Sequence, residues 1–502
     1  MALIPLELPP GIFRNGTDYL QSNKWRDSNL VRWIGTAVRP VGGWSVRQNL
    51  TPGAGSAPVV LPQTPRALIA WTDNSGDARI VAGSYGKLFS INEIGDITDI
   101  TPIGLNVGEL DATENIAYSG GFFGTGYYGV TRPYTGIVIE ATTWSLDTWG
   151  EYLVACSNHD GKLYEWQLVG TTPAQQIANA PIDNVGLVVT EERFLMALGA
   201  GNNPRKIAWC DREDNTSWTP SVTNEAGDFE LQIAGEIMCG VRVRGRTLIL
   251  TSTDAHTATY QGPPYVYGFE RVGSACGVVS RKAVAAVDAA AYWMGDEKFH
   301  VFDGSLAREL PCDVSDFVFE DLNGNQRSKV AAVHNSEYNE VWWFYPSSES
   351  KENDSYVYYN YVENHWGIGR LARTAAVNQG VFANPIYCAP DGALYDHERH
   401  GFTHGGDYPF VESAPISLAN GDQVMRLTKL IPDENTRGHV DLTFKTRFHP
   451  NDTEREYGPY DTANPTSIRL TGRQVRMRIT ATDSTDWRVG IMRVDATPGG
   501  KR

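Results

Sequence analysis

The sequence is poor in methionine and cysteine and has no long apolar run. Its 502 residues include seven methionines and six cysteines, and the cysteines lie far apart without a CxxC pair. No apolar stretch approaches the ~18 residues that a membrane-spanning helix requires. The start, MALIPLELPPGIF, lacks the basic residues that open a secretory signal peptide. We therefore expect reduced, mostly buried cysteines, no transmembrane helix and synthesis in a cytosol.

Several catalytic signatures are also missing. The chain has no GxSxG, GxxxxGK[ST] or HExxH string. The sequence therefore gives no support to a serine hydrolase, a P-loop nucleotidase or a zinc protease. We expect no enzyme activity, no catalytic residues and no cofactor.

Glycine and aromatic residues are abundant and indicate an all-β protein. Fifty glycines and 23 tyrosines accompany apolar runs of four to seven residues that end at Gly, Asn or Asp. Strings such as YGKLFSIN, DGKLYEWQ and DGALYDHE repeat a turn followed by a short aromatic strand. One aromatic residue marks each repeat, at steps of 36 to 52 residues: Phe89, Tyr128, Tyr164, Trp209, Tyr260, Phe299, Trp343 and Tyr395. This spacing predicts a β-propeller of six to eight blades; a chain of stacked sandwich domains is the alternative.

The C-terminal part has a different pattern. In RQVRMRIT, Arg473, Arg476 and Arg478 leave one face of a strand while apolar residues hold the other, as in a half-buried antiparallel sheet. We predict an N-terminal extension suited to closing the propeller (1–50), a propeller body (51–410) and an additional C-terminal β-sandwich-like domain (411–502). The run SRKAVAAVDAAAYW (280–293) suits a short helix and a buried strand about equally.

Charge is unevenly distributed along the chain. The net charge is −16, but residues 51–410 carry −21, whereas residues 1–50 carry +3 and residues 411–502 carry +2. An acidic body repels nucleic acid, which argues against sequence-specific binding but is compatible with a wall that DNA slides past. The basic C-terminal strands suit contact with an acidic neighbour; a solvated sheet face is the alternative.

Two polar clusters are candidates for metal binding, and both have an ordinary alternative. The string YDHERHGFTHGGD places imidazoles and carboxylates close together in sequence, at Asp396, His397, His400, His404 and Asp407. No helix is evident to hold them on one face, so a solvated hairpin loop is the simpler interpretation. Asp321, Asn323 and Asn325 alternate as in calcium loops, but glycine falls at the fourth position and no glutamate follows at the twelfth. We expect a polar turn there and no metal at either place.

Acidic pairs raise the question of a glycosidase. Glu191–Glu192 and the group Asp211, Glu213 and Asp214 could supply two carboxylates. The string SNHDGKLYEW is the nearest match to a sialidase-type box, but Asp160 stands one place out of register and the string occurs once. Acidic turns are expected in so acidic a region, and we favour that interpretation.

The two ends of the chain resemble one known family. NLVRWIGTAVRPVGGW (29–44) is similar to the opening of podovirus tail nozzle proteins, also called tail tubular protein B or tail hub proteins. The ending, residues 469–502, resembles the family's closing pattern, with a Gly-Arg step, an arginine-rich strand, a Trp-Arg-x-Gly strand and a glycine-basic tail. Those positions are Gly472, Arg473, Trp487, Arg488, Gly490, Gly499 and Gly500.

The resemblance implies a structural virion protein at the distal end of a short non-contractile phage tail. Family members form a ring, usually a hexamer, below the adaptor (head-to-tail connector) and dock fibres or spikes on the outer wall. Their lumen passes viral DNA without sequence-specific binding, and they meet the host outer membrane surface only during infection. The implied location is the virion, after synthesis in the bacterial cytoplasm.

The residues at the two matching ends are then predicted to serve architecture and assembly. The predicted assembly residues are Trp33, Arg39, Pro40, Gly42, Gly43, Trp44, Gly472, Arg473, Arg476, Arg478, Trp487 and Arg488. Two other classes of protein remain open. One is a carbohydrate-binding or glycan-cleaving propeller, which requires clustered aromatics and paired carboxylates on one face. The other is a WD-type scaffold, which is disfavoured because the dipeptide GH occurs once and WD never.

Overall fold

The computed structural model describes residues 2–50, 56–114, 138–170, 172–399, 401–417, 423–436, 438–449 and 451–499. Three positions named above, the marker Tyr128, the metal candidate His400 and the tail residue Gly500, lie outside the described residues.

Most of the chain forms four-stranded antiparallel meanders, and the described residues contain seven of them arranged as propeller blades. From the axis outward, blades 1 and 2 consist of Pro65–Thr72, Ala78–Ser84, Leu88–Asn92 and Ile97–Asp99, then Trp144–Trp149, Tyr152–Ser157, Leu163–Trp166 and Gln175–Gln176. Blades 3 and 4 consist of Gly186–Val189, Leu195–Leu198, Lys206–Trp209 and Gly227–Glu230, then Ile237–Val243, Arg246–Thr251, Asp254–Gly262 and Val266–Ser274. Blades 5 and 6 consist of Val284–Val287, Ala290–Met294, Phe299–Phe302 and Ala307–Leu310, then Ala331–Asn335, Glu340–Tyr345, Ser355–Asn360 and His365–Arg370. Blade 7 consists of Ala375–Val377, Ile386–Cys388, Leu394–Arg399 and Gly43–Val46.

The innermost strands contact one another in sequence around a closed ring. The inner strand of blade 1, Pro65–Thr72, packs against the inner strands of both neighbouring blades, Trp144–Trp149 of blade 2 and Ala375–Val377 of blade 7. The predicted all-β propeller is confirmed, and its blade count lies within the predicted six to eight. Seven of the eight aromatic markers fall one to a blade, and the eighth is Tyr128. The run 280–293 forms two strands of blade 5 rather than a helix.

The outer strand of blade 7 comes from the beginning of the chain. Gly43–Val46 pairs antiparallel with Leu394–Arg399, with Tyr395 opposite Val46 and Asp396 opposite Ser45. The register shifts between Asp396 and Arg399, where the strand is irregular. The last blade is therefore built from both ends of the propeller sequence, which ties the ring shut.

A two-sheet sandwich accompanies the propeller. Sheet A contains, in order, Ala2–Leu6, Met492–Pro498, Met425–Ile431 and Thr466–Gly472. Sheet B contains Trp25–Asn29, Phe410–Ser413, Gln474–Ala481, Val440–Arg447 and Arg455–Asp461, and Ile416–Ser417 also pairs with Gln474–Ala481. Alternating apolar side chains from the two sheets, such as Leu427 and Phe444, share one buried cluster.

The first two strands of the chain thus belong to the sandwich. Ala2–Leu6 lies at the edge of sheet A beside Met492–Pro498, and Trp25–Asn29 lies at the edge of sheet B beside Phe410–Ser413. Only Gly43–Val46, from the predicted N-terminal extension, joins a blade. The sequence pattern does not show this division, because an edge strand looks the same whichever sheet it completes.

Short elements lie between the strands of the blades and the sandwich. Among the described residues, three two-stranded sheets pair Val31–Ile34 with Ala37–Pro40, Gln48–Asn49 with Ala57–Pro58, and Thr113–Glu114 with Val138–Ile139. One α-helix, Ser315–Asp321, and the 3-10 helices Ala200–Asn202 and Gly324–Lys329 complete the elements of the described residues. Within those residues, none of the helices has the length and apolar character needed to cross a membrane.

Tryptophans fasten neighbouring blades to each other. The indole of Trp144 in blade 2 donates to the carbonyl oxygen of Ser84 in blade 1 at 2.6 Å, and a Cβ at Gly83 would collide with that indole. The indole of Trp343 in blade 6 donates to Ala283 beside blade 5 at 3.0 Å. All six cysteines are unpaired and five are buried, so they serve as the small apolar residues that the sequence predicted.

Candidate functional site

The two chain ends singled out by sequence meet at the junction between propeller and sandwich. The hairpin Val31–Ile34 and Ala37–Pro40 lies at this junction, and Pro40 stands opposite Val31 in it. Val38 and Val489 exchange both backbone hydrogen bonds, at 2.9 and 3.0 Å. We call this hairpin, with the following corner up to Trp44, the N-terminal corner.

A second contact joins the same two segments. The guanidinium of Arg39 pairs with the carboxylate of Asp486 at 3.2 Å. Next to it, Trp487 is fully buried, and Trp33 is 1% exposed with its ring edge-on to His365 at 5.8 Å. The N-terminal corner and the Trp-Arg segment near the C-terminus therefore form one structural unit.

A buried ion cluster fixes the N-terminal corner to blades 6 and 7. Arg32, 1% exposed, donates to Glu398 of blade 7 at 2.5 and 2.9 Å and to Glu340 of blade 6 at 3.0 Å. The amide of Asn335 and the backbone N–H of Gly42 donate to Glu398, each at 2.9 Å. One side chain thus crosslinks three parts of the fold.

The cluster has one cation for two carboxylates. Burial raises the pKa of Glu340 to about 7, although the charge of Arg32 opposes the rise, and Glu398 adds to it. Burial would lower the pKa of Arg32, but the charges of Glu340 and Glu398 outweigh it and hold that pKa well above its ordinary value. Glu340 is therefore the member of the cluster whose charge depends on pH near neutrality.

Glu340→Gln should change how stability depends on pH. A carboxyl whose folded pKa lies above its unfolded pKa stabilises the fold fully at low pH, and this contribution is lost as pH rises from about 4.5 to about 7. The variant does not lose this stability as pH rises, because glutamine does not titrate. Glu398 still neutralises Arg32 in the variant. Relative to wild type, the variant should therefore gain on the order of 1–2 kcal/mol in free energy of unfolding between pH 5 and pH 8. Urea titrations at both pH values measure the difference; equal pH profiles would contradict it.

The corner itself needs glycine at two places. A Cβ at Gly42 would lie 2.5 Å from the Cα of Glu398, and a Cβ at Gly43 would lie 2.5 Å from the backbone nitrogen of Thr403. The corner therefore packs backbone against backbone. The close approach lets the N–H of Gly42 reach the buried carboxylate of Glu398.

Trp44 is held by a stack of rings on blade 7. Its indole lies parallel to the imidazole of His397 at 5.2 Å and edge-on to His404 at 5.2 Å. The guanidinium of Arg373 sits 5.1 Å from the centre of the indole. These partners come from the C-terminal end of the propeller sequence, so Trp44 packs against residues that are far from it in sequence.

The histidines of the candidate metal cluster serve this packing. His397 and His404 are buried, so the solvated hairpin loop that the sequence favoured for them is wrong. His397 accepts a hydrogen bond from Nε of Arg373 at 3.0 Å, and Nε2 of His404 lies 3.0 Å from the carbonyl oxygen of Val41. Burial lowers the pKa of both imidazoles. Asp396 pairs instead with Arg47 at 2.9 Å, and Asp407 is exposed. No three His, Cys, Asp or Glu side chains converge as a metal site among the residues described.

The other polar candidates are turns. Asn323 caps the helix Gly324–Lys329 by accepting from the N–H of Asn325, as the polar-turn interpretation expects.

The carboxylates considered for a glycosidase have hydrogen-bond partners within the fold. Asp160 is buried and accepts from the hydroxyl of Tyr164 at 2.5 Å. The acidic candidates of blade 3 likewise accept hydrogen bonds. Glu191 and Glu192 accept from blade 4, from Gly245 and Tyr267, and Asp211 and Asp214 accept within blade 3, from Glu225 and Thr216. Glu213 has a left-handed backbone, with φ of 59°.

The predicted basic face of the last strands is internally neutralised. Arg476 pairs with Glu412 at 2.6 Å and with Glu454 at 3.0 Å. Arg478 also pairs with Glu412, at 3.0 Å, and covers the ring of Phe410. These two arginines therefore stabilise sheet B and are not available as the neighbour-binding charges that the sequence suggested.

The remaining predicted assembly residues lie close by. Gly472 ends a strand of sheet A opposite Met425. The backbone N–H of Arg473 donates to the carbonyl of Arg447 at 3.1 Å. Arg488 is half-exposed, with its guanidinium 3.8 Å from Asp486.

Sheet A presents the basic surface that sequence analysis did not isolate. Its exposed outward side chains include Arg426, Lys429, Arg469 and Arg493, and among the described residues none of the four forms an ion pair within 4.0 Å. The alternation of MRLTK and SIRL carries the signal. Charge counts over 411–502 hide it, because they also include arginines that form ion pairs, namely Arg447, Arg476, Arg478 and Arg488. We call these four residues the sheet A basic face.

The blades enclose a cavity on the propeller axis. It has a volume of about 410 Å³ and is lined by the inner strands of all seven blades. Charged side chains concentrate in its wall, namely Arg66, Asp147, Arg242, Arg281 and Lys282. We call it the axial cavity.

Comparisons with known proteins give likeness in fold only. No protein-family model and no curated protein matches the chain. Among solved structures, virginiamycin B lyase from Staphylococcus aureus covers 70% of this chain and 99% of its own at 9% identity, with a TM-score of 0.44. BamB from Moraxella catarrhalis covers 80% and 99% at 9% identity, with a TM-score of 0.38. The WD40 propeller domain of Doa1 covers 71% and 98% at 8% identity, with a TM-score of 0.39.

Proposed function

We propose that this chain is a structural, non-catalytic component of a short non-contractile phage tail, forming the nozzle ring below the adaptor. The observation that carries the proposal is the meeting of the two family-like segments, through Val38 and Val489, at the junction of propeller and sandwich. Segments that resemble one family at both ends, and that build one joint, favour a common architectural role.

The size of the axial cavity bears on how DNA would pass. At about 410 Å³, and lined by packed inner strands, it is far too small for a duplex. In the proposed nozzle, DNA therefore passes through the centre of a ring of several copies. The net charge of −21 over residues 51–410 would keep phosphates from adhering to a wall made of propellers.

The charge distribution supports a head-to-tail ring. A basic face on the sandwich and an acidic propeller are different surfaces of the same chain, so one copy can contact the next repeatedly. Contacts between unlike surfaces generate a ring when the rotation closes. In this proposal the sheet A basic face of one copy lies against the propeller of its neighbour, and fibres or spikes dock on the outer wall.

Negative-stain microscopy of the purified full-length chain, alone and with adaptor rings, tests the proposal. Rings are expected for the wild type, and Lys429→Glu with Arg493→Glu should reduce ring formation at least tenfold, because two attractive charges become repulsive. Arg455→Glu, an exposed arginine on an edge strand of sheet B, is the matched control and should leave rings intact. A chain that stays monomeric in both settings would contradict the nozzle proposal, whereas rings unaffected by the double variant would contradict only the proposed contact.

A glycan-binding propeller is the second candidate, and one cluster favours it. Phe229, 42% exposed, stacks on Phe269 at 4.6 Å, and Tyr260 and Tyr267 lie beside them. Tyr260 donates to Glu225 at 3.1 Å. Aromatic faces beside carboxylates suit a sugar. Saturable glycan binding by an isolated chain that never forms rings would favour this candidate.

A further inference from the structure

The axial cavity owes its space to small side chains on the inner strands. Gly240, Ala286, Ala332 and Ala376 face it from four different blades. The volume of about 410 Å³ lies within the usual range of small-ligand pockets. The cavity is therefore large enough for a small ion together with its bound waters.

Hydrogen bonds also join segments that lie next to the beginning of the inner strands. Arg66 donates to the carbonyl of Leu110 at 3.1 Å, and Gln326 exchanges two hydrogen bonds with Ala112 at 3.0 and 2.9 Å. The N–H of Ala141 donates to Ser328 at 3.2 Å. A ligand in the cavity would be surrounded by the inner strands of all seven blades, and the lower effective dielectric there strengthens its interaction with charge.

Among the described residues, the wall of the axial cavity has four cationic side chains and one carboxylate, and three of the cations form ion pairs. Arg66 forms a two-bond ion pair with Glu352, at 2.6 Å for each bond. Arg281 pairs with Glu140 at 3.3 Å. Arg242 pairs with Asp147, the carboxylate of the cavity wall, at 2.7 Å.

The ammonium group of the fourth cation, Lys282, has neither a hydrogen bond nor an ion pair among the described residues. Burial lowers its pKa to about 8, and the nearby Cys239 and Asp147 oppose this only partly. Asp147 already accepts from Arg242 and from the N–H groups of Thr148 and Val189. Lys282 therefore brings a charge into the cavity without a counter-charge of its own.

We propose that the axial cavity binds a small oxyanion, with the ammonium group of Lys282 as its principal contact. Phosphate, sulfate and the carboxylate of a small organic acid share the required chemistry, which is negative charge on oxygen atoms that accept hydrogen bonds. Arg242, half-exposed in the wall, supplies N–H donors beyond the one that Asp147 occupies. This site is independent of ring assembly, since every group belongs to one chain.

Calorimetric titration of the full-length protein with sodium phosphate, at constant ionic strength maintained with chloride, tests the site. Wild type should bind saturably with one site per chain, and Lys282→Met should weaken the binding at least tenfold. Lys298→Met, which removes an exposed lysine paired with Glu309 on the outer strands of blade 5, is the matched control and should bind as wild type does. Repeating the titration with sulfate and with acetate distinguishes the kinds of oxyanion.

A second measurement separates loss of a ligand from loss of the fold. Without phosphate, Lys282→Met should melt at the same temperature as wild type or higher, because it removes a charge that lacks a partner. With saturating phosphate, wild type should gain melting temperature and the variant should not. Absence of saturable binding, or equal phosphate stabilisation in wild type and Lys282→Met, would overturn the proposal.

Discussion

Arg32→Met should lower the free energy of unfolding by about 3–5 kcal/mol, because it leaves two buried carboxylates without their cation. Glu340 and Glu398 are 1% and 6% exposed in their side chains, so water cannot replace the lost charge. The methionine retains apolar volume, which limits the cavity contribution and isolates the electrostatic one. The loss should be smaller at pH 5 than at pH 8, since protonation of Glu340 then removes one of the two uncompensated charges.

Urea titration monitored by tryptophan fluorescence measures the effect, and Arg244→Met is the matched control. Arg244 pairs with Asp288 at 2.7 Å, but both side chains are mostly exposed, at 72% and 65%. An exposed pair of this kind contributes about 0–1 kcal/mol. If Arg32→Met destabilised the protein no more than Arg244→Met does, the buried cluster would not be what fastens the corner to blades 6 and 7.

The architecture of the propeller could be predicted because the strands of most blades follow one another in the sequence, so that each blade leaves a local sequence pattern. A turn at Gly or Asn and an aromatic third strand recur at blade length, and six of the eight markers, such as Phe89 and Tyr164, lie on third strands. The pairing of Gly43–Val46 with Leu394–Arg399 is different in kind. Its two partners come from opposite ends of the propeller sequence, and nothing in the short outer strand specifies which edge it completes.

Charged side chains were harder to place than strands. The alternation in RQVRMRIT correctly separates a polar face from an apolar one, but it does not show that Glu412, on a neighbouring strand of sheet B, neutralises Arg476 and Arg478. Arg32 gives the opposite lesson. From sequence alone, an arginine in a short strand is expected to be exposed. Arg32 is buried because the fold brings Glu340 of blade 6 and Glu398 of blade 7 into contact with it.

For a related reason, the sequence wrongly favoured a solvated loop for His397 and His404, both of which are buried. Closely spaced imidazoles are compatible with a metal site, yet His397 and His404 are spaced so that both reach the indole of Trp44. Trp44 itself signalled an architectural role through its corner of proline and glycines. The ring that stacks on an imidazole could be identified only once the strand Gly43–Val46 was known to close the last blade.

Trp44→Ala should cost about 3 kcal/mol in free energy of unfolding, from lost apolar burial and lost ring contacts together. The indole is half-buried, so the value lies below that of a fully buried tryptophan. Trp44→Phe keeps a ring against His397 and should recover about half of the loss. Tyr265→Ala, at a ring that is 78% exposed, should change stability by less than about 0.5 kcal/mol.

Where Trp44→Ala weakens the structure tests the closure of the ring more sharply than the total loss in free energy of unfolding does. The backbone N–H of Trp44 donates to the carbonyl of Thr403 at 3.1 Å, and its strand is the outer edge of blade 7. Without the indole, the strand Gly43–Val46 should detach locally before the protein unfolds. Amide hydrogen exchange in Gly43–Val46 and Leu394–Arg399 should therefore accelerate at least tenfold in Trp44→Ala, while the inner strands of blade 3 exchange as in wild type. Uniform acceleration over all blades would mean that Trp44 contributes general stability, and that the first and last parts of the propeller are held together by other contacts.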